Sequence, residues 1–224
     1  MDIKKGEWDA SYVRHENHIL YPKEEVVKFL NRFVRKKLGT EDFIDILSRQ
    51  KLTALDYGCG IGRITHLLHE FGIDGYGLDI SEVAIEQAEN LFPSIKDKFQ
   101  KVEGNSIPFK DGFFNITLSE SVLDSMEFEL ASQIVNEIDR VTTDYFFASF
   151  ISGDDSSRFR EYSGEEIVET QHERGTIQSY FNWSKIINLF DGTSFKIEWA
   201  RLITEESLLD RYKYGRYFVV CKKA

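Results

Sequence analysis

The sequence predicts an α/β domain with a seven-stranded mixed sheet, helices on both faces, an N-terminal helical lid and an insertion after the fifth strand. From Leu52 onward, short apolar runs alternate with amphipathic segments, which is the pattern of strand–helix units in a mainly parallel sheet. The run Tyr145–Ile151 is almost continuously apolar, as expected for a strand that is buried on both faces. The last two apolar runs are joined by Thr204–Gly215 without a crossover-helix pattern, so we expect a closing antiparallel pair.

Residues 1–50 form the predicted helical lid. Apolar residues recur at helical spacing at positions 26, 27, 30, 33 and 34. A second apolar set at positions 43, 44, 46 and 47 also has helical spacing. Both sets indicate amphipathic helices that pack against the rest of the domain.

Residues 51–151 form the predicted core of alternating strands and helices. Gly72 is placed to end the first helix of this core, and Ser81 is placed to cap the second. In chain order, the predicted elements are a strand at Leu52–Tyr57, a helix over 61–71, a strand at Gly75–Ile80, a helix over 81–91, strands at Phe99–Glu103 and over 114–118, a helix from Phe128 to Val141 and a strand at Tyr145–Ile151.

The C-terminal part of the chain is predicted to complete the same domain. Residues 152–182 are polar and irregular, so we interpret them as an insertion rather than another core unit. Residues 183–224 supply a helix at Trp183–Phe190 and strands over 195–203 and 216–221. No repeat, low-complexity tract or proline-rich linker divides the sequence. A single domain over residues 1–224 is therefore expected.

Composition limits the class of protein. Of the 224 residues, 42% are hydrophobic, which is enough for one full core. The net charge of −10 disfavours a nucleic-acid partner. The longest apolar runs are too short to span a membrane, and the N-terminus has no secretory signal pattern. Two cysteines form no disulfide framework, and His15 and His18 have no evident third metal ligand. We expect a cytoplasmic protein with no metal, membrane or nucleic-acid partner; the sequence does not indicate an oligomeric state.

A glycine-rich turn between a strand and a helix carries the strongest functional signal. Gly58, Gly60 and Gly62 follow the first core strand, and glycines there let a nucleotide-like ligand lie against backbone without obstruction by Cβ atoms. The dinucleotide fingerprint needs a glycine or alanine where this chain has Arg63. The spacing therefore favours S-adenosylmethionine (SAM) over a nicotinamide cofactor. Asp56 is placed to organise the turn and receive the amino end of the donor, or only to bond to local backbone.

Two later segments reach the same edge of the predicted sheet. Asp79 ends the second core strand, where a carboxylate can accept both hydroxyls of a ribose. Asn105 and Ile107 follow the third strand and offer an amide and an apolar surface to an adenine ring. The fourth strand ends at Ser119, on the side where open α/β folds bind ligands.

Together, these residues resemble the class I SAM-dependent methyltransferases. The resemblance in motifs covers residues 52–150, and the resemblance in the order of strands and helices extends to the C-terminus. The resemblance implies a Rossmann-like fold, SAM as methyl donor and S-adenosylhomocysteine as product. It also implies that an aromatic residue of the N-terminal lid closes over the cofactor. Asn105 departs from the Asp that is common in the family. The predicted cofactor-binding residues are Trp8, Tyr12, Asp56, Gly58, Cys59, Gly60, Gly62, Arg63, Asp79, Ile80, Asn105, Ser106, Ile107 and Ser119.

Methyl transfer is an in-line displacement at an activated methyl group, so alignment and exclusion of water supply much of the catalysis. A hydroxyl acceptor would benefit from a base that removes its proton. The candidate catalytic residues are Glu120 and Asp124 after the fourth strand and His172 in the insertion.

We expect the acceptor to be a small polar molecule with a hydroxyl group, such as a sugar derivative, bound between Trp8–Pro22 and Ser152–Asn182. The insertion contains hydrogen-bonding side chains, among them Arg158, Arg160 and Tyr162, and long loops are often functional lids. Two alternatives stay open from the sequence: a relative that binds the cofactor without turnover, and a nicotinamide-dependent oxidoreductase.

Overall fold

The computed structural model describes residues 4–103, 105–155 and 159–224. The strands are β1 (Arg35–Lys37), β2 (Phe43–Asp45), β3 (Thr53–Tyr57), β4 (Asp74–Asp79), β5 (Phe99–Lys101), β6 (Phe114–Ser119), β7 (Thr142–Ile151), β8 (Glu165–Ile167), β9 (Ile177–Ser179), β10 (Phe195–Glu206) and β11 (Lys213–Lys223). The α-helices are α1 (Lys5–Val13), α2 (Glu24–Phe29), α3 (Arg63–Glu70), α4 (Glu82–Leu91), α5 (Phe128–Val141) and α6 (Trp183–Phe190). A π-helical turn at Leu30–Val34 extends α2, and a 3₁₀ segment at Pro93–Lys98 follows α4. No helix within these ranges is long and apolar enough to cross a membrane.

The central sheet has seven strands in the order β10-β11-β7-β6-β3-β4-β5. The five strands from β7 to β5 are parallel, and β11 and β10 are antiparallel to their neighbours. This arrangement confirms the predicted mixed sheet and its closing antiparallel pair. It also brings the carboxyl ends of the parallel strands to one edge, where ligand sites form in open α/β sheets.

Helices cover both faces of the sheet, as predicted. Successive residues of β7 show why, because Phe146 packs into the layer that contains α5 and α6, whereas Phe147 packs into the layer that contains α2 and α3. Both rings are completely buried. Side chains that alternate between two covered faces explain the nearly continuous apolar run of this strand.

The N-terminal region differs in part from the predicted helical lid. Helices α1 and α2 are present, but β1 and β2 form a small antiparallel hairpin where the second apolar set predicted a helix. The backbone N–H groups of Leu38 and Gly39 both point to the Asp42 carbonyl, which closes the turn between the strands. The ring of Phe43 lies 5.2 Å from the Arg35 guanidinium, so this apolar residue packs locally against a cation instead of facing a core.

The insertion contains regular structure within its polar sequence. Strands β8 and β9 pair antiparallel, with Ile167 opposite Ile177. The second strand is fixed to the core because the Ser179 backbone N–H donates to the Asp124 carbonyl at 2.8 Å, and Phe181 is completely buried. Arg158, which the sequence placed among the polar residues of this segment, lies outside the described residues.

Gly77 in β4 provides a test of how closely α3 packs on the sheet. A Cβ atom at this position would lie 2.6 Å from Thr65 Oγ1 and 2.9 Å from Cys59 Sγ. We predict that Gly77→Ala lowers the free energy of unfolding by about 1–3 kcal/mol through overpacking, as measured by urea denaturation. Gly6→Ala in α1 is the matched control, because nothing lies within 4 Å of its added Cβ. Equal stability of the two variants would contradict this packing account.

Candidate active site

A cavity of about 1060 Å³ opens at the carboxyl edge of the parallel strands. Its floor comes from residues at or just after the ends of β3, β4, β5, β6 and β7, and its walls come from the N-terminal lid, the insertion and the β10–β11 hairpin. The residues that line it include Tyr12, Lys23, Gly58, Gly60, Arg63, Asp79, Ile80, Val102, Glu120, Val122, Asp124, Asp155, Tyr212, Tyr214 and Arg216.

The glycine-rich turn between β3 and α3 forms part of this floor. Gly58 and Gly60 have positive φ angles of 75° and 54°, which glycine adopts without steric cost. A Cβ atom on Gly60 would lie 2.6 Å from the Tyr12 hydroxyl. The turn is therefore shaped both by its backbone conformation and by the tyrosine that covers it.

Asp56 lies behind the turn and does not line the cavity. Its Oδ2 accepts hydrogen bonds from the backbone N–H and the hydroxyl of Thr65, at 2.9 and 2.8 Å. Burial raises the pKa of Asp56 to about 7, although the two bonds from Thr65 oppose this rise. The carboxyl group thus joins the end of β3 to α3 and supports the turn from below.

Asp79 joins the second parallel strand to the same turn. Its Oδ2 accepts the Gly60 backbone N–H at 2.8 Å, and its Oδ1 accepts the Ser81 backbone N–H at 2.9 Å. The side chain lines the cavity, and burial raises its pKa above the usual value. Each carboxylate oxygen can accept a further bond, so Asp79 has acceptor capacity left for a ligand.

The lid is attached to the cofactor side of the cavity by α1. The Asp9 carboxylate accepts the Ser81 hydroxyl at 2.6 Å, and the Gln87 side-chain amide donates to the Tyr12 carbonyl at 3.2 Å. Ser81 also caps α4 by accepting the Ala84 N–H at 3.1 Å. These contacts place the nearly buried Tyr12 ring directly over the glycine-rich turn.

The lid also meets the insertion across the cavity. The Glu16 carboxylate accepts the Glu173 backbone N–H at 2.9 Å, and a Cβ atom on Gly175 would lie 2.9 Å from the side chain of Glu7. Arg14 binds both oxygens of Glu16, at 2.7 and 3.1 Å. Two segments that are more than 150 positions apart in the chain therefore enclose the cavity together.

Glu120 is the centre of a buried charge cluster on the floor. Its Oε1 is 2.6 Å from Lys23 Nζ, its Oε2 is 2.6 Å from Arg63 Nη2, and the carboxylate has no exposed surface. The Ser149 hydroxyl also donates to Oε1 at 3.2 Å. Burial alone would raise the pKa of Glu120, but Lys23, Arg216 and Arg63 lower it to about 2.

A second ion pair lies beside the first. The Asp124 Oδ2 accepts the Ile151 backbone N–H at 2.7 Å and Arg216 Nη1 at 2.9 Å. Asp124 is 1% exposed, and its Oδ1 is a buried acceptor with no hydrogen-bonding partner among the described residues. Both predicted acidic residues therefore bind cations of the floor.

The cavity includes most, but not all, of the residues predicted from the sequence. The predicted residues that line it are Trp8, Tyr12, Gly58, Cys59, Gly60, Arg63, Asp79, Ile80, Glu120, Asp124 and His172. The predicted residues that do not are Asp56, Gly62, Asn105, Ser106, Ile107 and Ser119. His172 lies at the rim, where 60% of its side chain is exposed.

The predicted adenine residues lie beside α5 in the structure. The Asn105 amide donates to Gln133, and the Ile107 backbone N–H donates to Glu137 at 2.9 Å, so this loop binds to α5. Ile107 is buried in the core instead of facing the cavity. Val102, just after β5, is the residue of this region that lines the cavity.

Gly62 and Ser119 do not line the cavity, for reasons that lie in their local structure. Gly62 precedes α3, and a Cβ atom there would lie 2.6 Å from the Phe99 ring and 3.2 Å from Ala88. Ser119 is the last residue of β6 and is completely buried. Both positions support the turn or the strand and not the cavity surface.

The sequence reasoning did not find Lys23 and Arg216. Lys23 lies between Pro22 and the first residue of α2, with no motif around it. Arg216 belongs to the antiparallel strand β11 and meets Asp124 across 92 positions of sequence. The only available signal was a charged residue near the start of an otherwise apolar strand, which by itself does not indicate a site.

Residues 55–144 match a family model described as a methyltransferase domain. No curated protein matches the chain in sequence. A SAM-dependent methyltransferase structure from Methanosarcina mazei is similar over 79% of this chain and 94% of that one, at 21% identity and a TM-score of 0.65. The magnesium protoporphyrin IX methyltransferase of Synechocystis PCC 6803 with bound SAM is similar over 96% of this chain and 81% of its own chain, at 14% identity and a TM-score of 0.57. The [4+2]-cyclase SpnF is similar over 89% of this chain and 80% of its own chain, at 13% identity and a TM-score of 0.63. At these identities, the structures show the shared fold.

The charge cluster generates a prediction for Glu120→Gln. The pKa of Glu120 is about 2 in the folded protein, against a reference value of 4.5. The stabilising contribution of the ionised group is therefore full above pH 4.5 and is lost as the pH falls toward 2. At neutral pH, we expect the variant to lose about 3–5 kcal/mol in the free energy of unfolding, because two buried cations lose their partner.

Urea denaturation of both proteins between pH 6 and pH 3 measures this effect. The difference in free energy of unfolding between wild type and Glu120→Gln should shrink as the pH falls below 4.5. Glu129→Gln on the exposed face of α5 controls for the loss of a surface carboxylate. A difference that stays constant over the whole range would contradict the assigned ion pairs.

Proposed function

We propose that this chain is a class I SAM-dependent methyltransferase that transfers the methyl group to a small polar molecule bound between the lid and the insertion. The match of residues 55–144 to a methyltransferase domain supports this proposal. The observation that carries this proposal is the enclosure of one cavity by both segments, over the carboxyl edge of the sheet. A ligand held there is covered on one side by the lid and on the other by the β8–β9 hairpin.

The residues on the cofactor side of the cavity fit SAM. Gly58 and Gly60 leave backbone open to a close approach by the methionine part. The remaining acceptor capacity of Asp79 suits the two ribose hydroxyls, and Ile80 and Val102 offer apolar surface to the adenine. Arg63 uses only Nη2 to bind Glu120 among the described residues, so its other N–H groups can hold the donor's carboxylate.

Cavity size supports a second ligand beside the cofactor. Pockets for a single small molecule commonly measure about 300–1,000 Å³, and this cavity of about 1060 Å³ is at or above that range. The enclosing contacts between lid and insertion favour a compact acceptor over a polymer that must pass through the site. The net charge of −10 also disfavours nucleic acid.

The protein contributes position and a dry environment to the reaction. When bound, SAM supplies a methyl group that its positive sulfur has already activated for displacement. Tyr12 excludes water from the turn, and the buried ion pairs of Glu120 and Asp124 hold the floor rigid beneath the acceptor. Alignment of this kind can account for several kcal/mol of barrier reduction.

Transfer of a labelled methyl group tests the proposed function. The protein is incubated with methyl-labelled SAM and a metabolite extract, and the label is followed in small-molecule, protein and nucleic-acid fractions. We expect label in the small-molecule fraction, and none when the protein has been heat-denatured. Label in protein or nucleic acid would contradict the proposal, and SAM binding without any transfer would support a binding-only role.

Asp79→Asn tests the cofactor site directly. We predict that SAM binding weakens by about 1–3 kcal/mol, because a neutral amide loses the charge-assisted bonds to the ribose. Isothermal titration calorimetry measures the change. Asp74→Asn is the matched control, because Asp74 begins the same strand and binds Lys51 and Lys98 at the other edge of the sheet. Unchanged affinity in a folded Asp79→Asn protein would remove Asp79 from the cofactor site.

A further inference from the structure

We propose that the methyl-accepting group is a carboxylate, which Arg216 binds at the floor of the cavity, and that the product is a methyl ester. This inference rests on the proposed function and names the chemical class of its acceptor. It departs from the hydroxyl acceptor that the sequence led us to expect, for two independent reasons: the hydrogen-bonding groups of the floor and the state of its acidic residues.

The first reason is that N–H donors of the floor remain unused where the methyl-accepting molecule would bind. Arg216 donates to Asp124 and to Ser149 through Nη1 alone, at 2.9 and 3.5 Å. Its Nε and Nη2 have no partner among the described residues, and 24% of its side chain is exposed. A guanidinium edge with two parallel donors matches a carboxylate in a bidentate arrangement.

Lys23 adds a second cation to this part of the floor. Its ammonium binds Glu120 Oε1 at 2.6 Å and the Ser121 hydroxyl at 3.0 Å, and an ammonium has three N–H groups. Burial lowers the pKa of Lys23, and the positive charge of Arg216 lowers it further, so the two cations are close enough to repel each other. A ligand carboxylate near both would relieve this repulsion.

The second reason is that no residue of the floor is suited to remove a proton from a hydroxyl. Both oxygens of Glu120 are occupied by cations, and its pKa of about 2 makes it a very weak base near neutral pH. The Asp124 Oδ2 is occupied by Arg216 and Ile151, and the other oxygen has no exposed surface. An acceptor that is already ionised at neutral pH needs no base.

Other carboxylates also line the cavity wall. Glu166, Glu169 and Glu173 lie on the insertion and are half-buried or exposed, so solvent and salt screen their charge. Asp155 is buried and accepts the Tyr212 hydroxyl at 3.1 Å. Asp155 is close enough to Arg216 for the two charges to interact, so a ligand carboxylate would share this cation with it.

The outer part of the cavity indicates the rest of the acceptor. The rings of Tyr212 and Tyr214 pack edge to face with centroids 5.0 Å apart, and both residues line the cavity together with Ile19 and Ile167. Aromatic and aliphatic surface of this kind binds an apolar body. The geometry therefore favours a carboxylic acid whose carboxylate lies inward and whose apolar body lies toward the entrance.

The reaction balances without a proton acceptor. One carboxylate oxygen attacks the methyl carbon, a new O–C bond forms, and the C–S bond breaks with its electron pair remaining on sulfur. The acceptor loses its negative charge and the donor loses its positive charge. No proton is released, so this reaction does not depend on a base in the floor.

Alkaline treatment of the labelled product tests this class. Methyl esters release labelled methanol under mild base, whereas methyl ethers, methylamines and thioethers do not. We expect most of the label in the small-molecule fraction to become volatile after this treatment. A base-stable product would overturn the carboxylate assignment and leave the proposed function intact, whereas an absence of label in small molecules would mean that the proposed function itself fails.

A binding experiment with defined probes tests Arg216 without turnover. Phenylacetate and 2-phenylethanol are titrated separately into protein saturated with S-adenosylhomocysteine, and dissociation constants are measured by ligand-observed NMR. We expect wild type to bind the acid at least tenfold more tightly than the alcohol, and Arg216→Gln to lose this preference while its SAM affinity stays within threefold.

Arg211→Gln is the matched control, because Arg211 lies in the turn of the same β10–β11 hairpin and 72% of its side chain is exposed. This variant should keep the preference of the wild type. The assignment is wrong if wild type does not prefer phenylacetate, or if Arg216→Gln binds it as tightly as wild type does.

Discussion

The buried carboxylate of Glu120 is the interaction on which the arrangement of the site depends. It joins Lys23 of the lid, Arg63 of the glycine-turn helix and the end of β6 at a single point without exposed surface. Placing these charges away from water costs several kcal/mol per ion, and only close, well-directed contacts offset that cost. This favours one position of the lid over the cavity, since departure of Lys23 would leave the buried Glu120 Oε1 without its cation.

The cofactor side of the site depends on a comparable link between neighbouring strands. Asp79 accepts the Gly60 backbone N–H, so the second parallel strand fixes the conformation of the turn that follows the first. Asp56 fixes the same turn from the side of α3 through Thr65. Two buried carboxylates thus define the glycine-rich loop, but only Asp79 reaches the cavity. This difference explains why two acidic residues that both end parallel strands have separate roles.

Local sequence patterns were enough to predict the seven-stranded sheet, its closing hairpin and the glycine-rich turn. These features follow from apolar periodicity, glycine spacing and capping residues, all of which act over short stretches of chain. The hairpin of β1 and β2 could not be predicted, because the apolar residues of this segment have helical spacing. Of these residues, Phe43 packs against Arg35 and Lys37, and Ile44 is exposed. The contacts of the loop at Asn105 could not be predicted because its partners are on α5, about 30 positions later. Arg216 was missed because it contacts Asp124 only through the order of strands in the sheet.

The fold defines where a ligand binds, whereas the side chains of the floor decide which reaction is possible. A hydroxyl acceptor benefits from a group that takes its proton, and such a group works best with a pKa near the operating pH. Here, the cations that hold the lid in place also lower the pKa of Glu120 to about 2, so the same ion pairs that close the site make this carboxylate unsuitable as a base. A floor that is rigid because its carboxylates are paired with cations retains unused N–H donors on those cations. An anionic nucleophile uses these donors and needs no base. The ion pairs that hold the lid closed therefore also favour a carboxylate as the methyl acceptor.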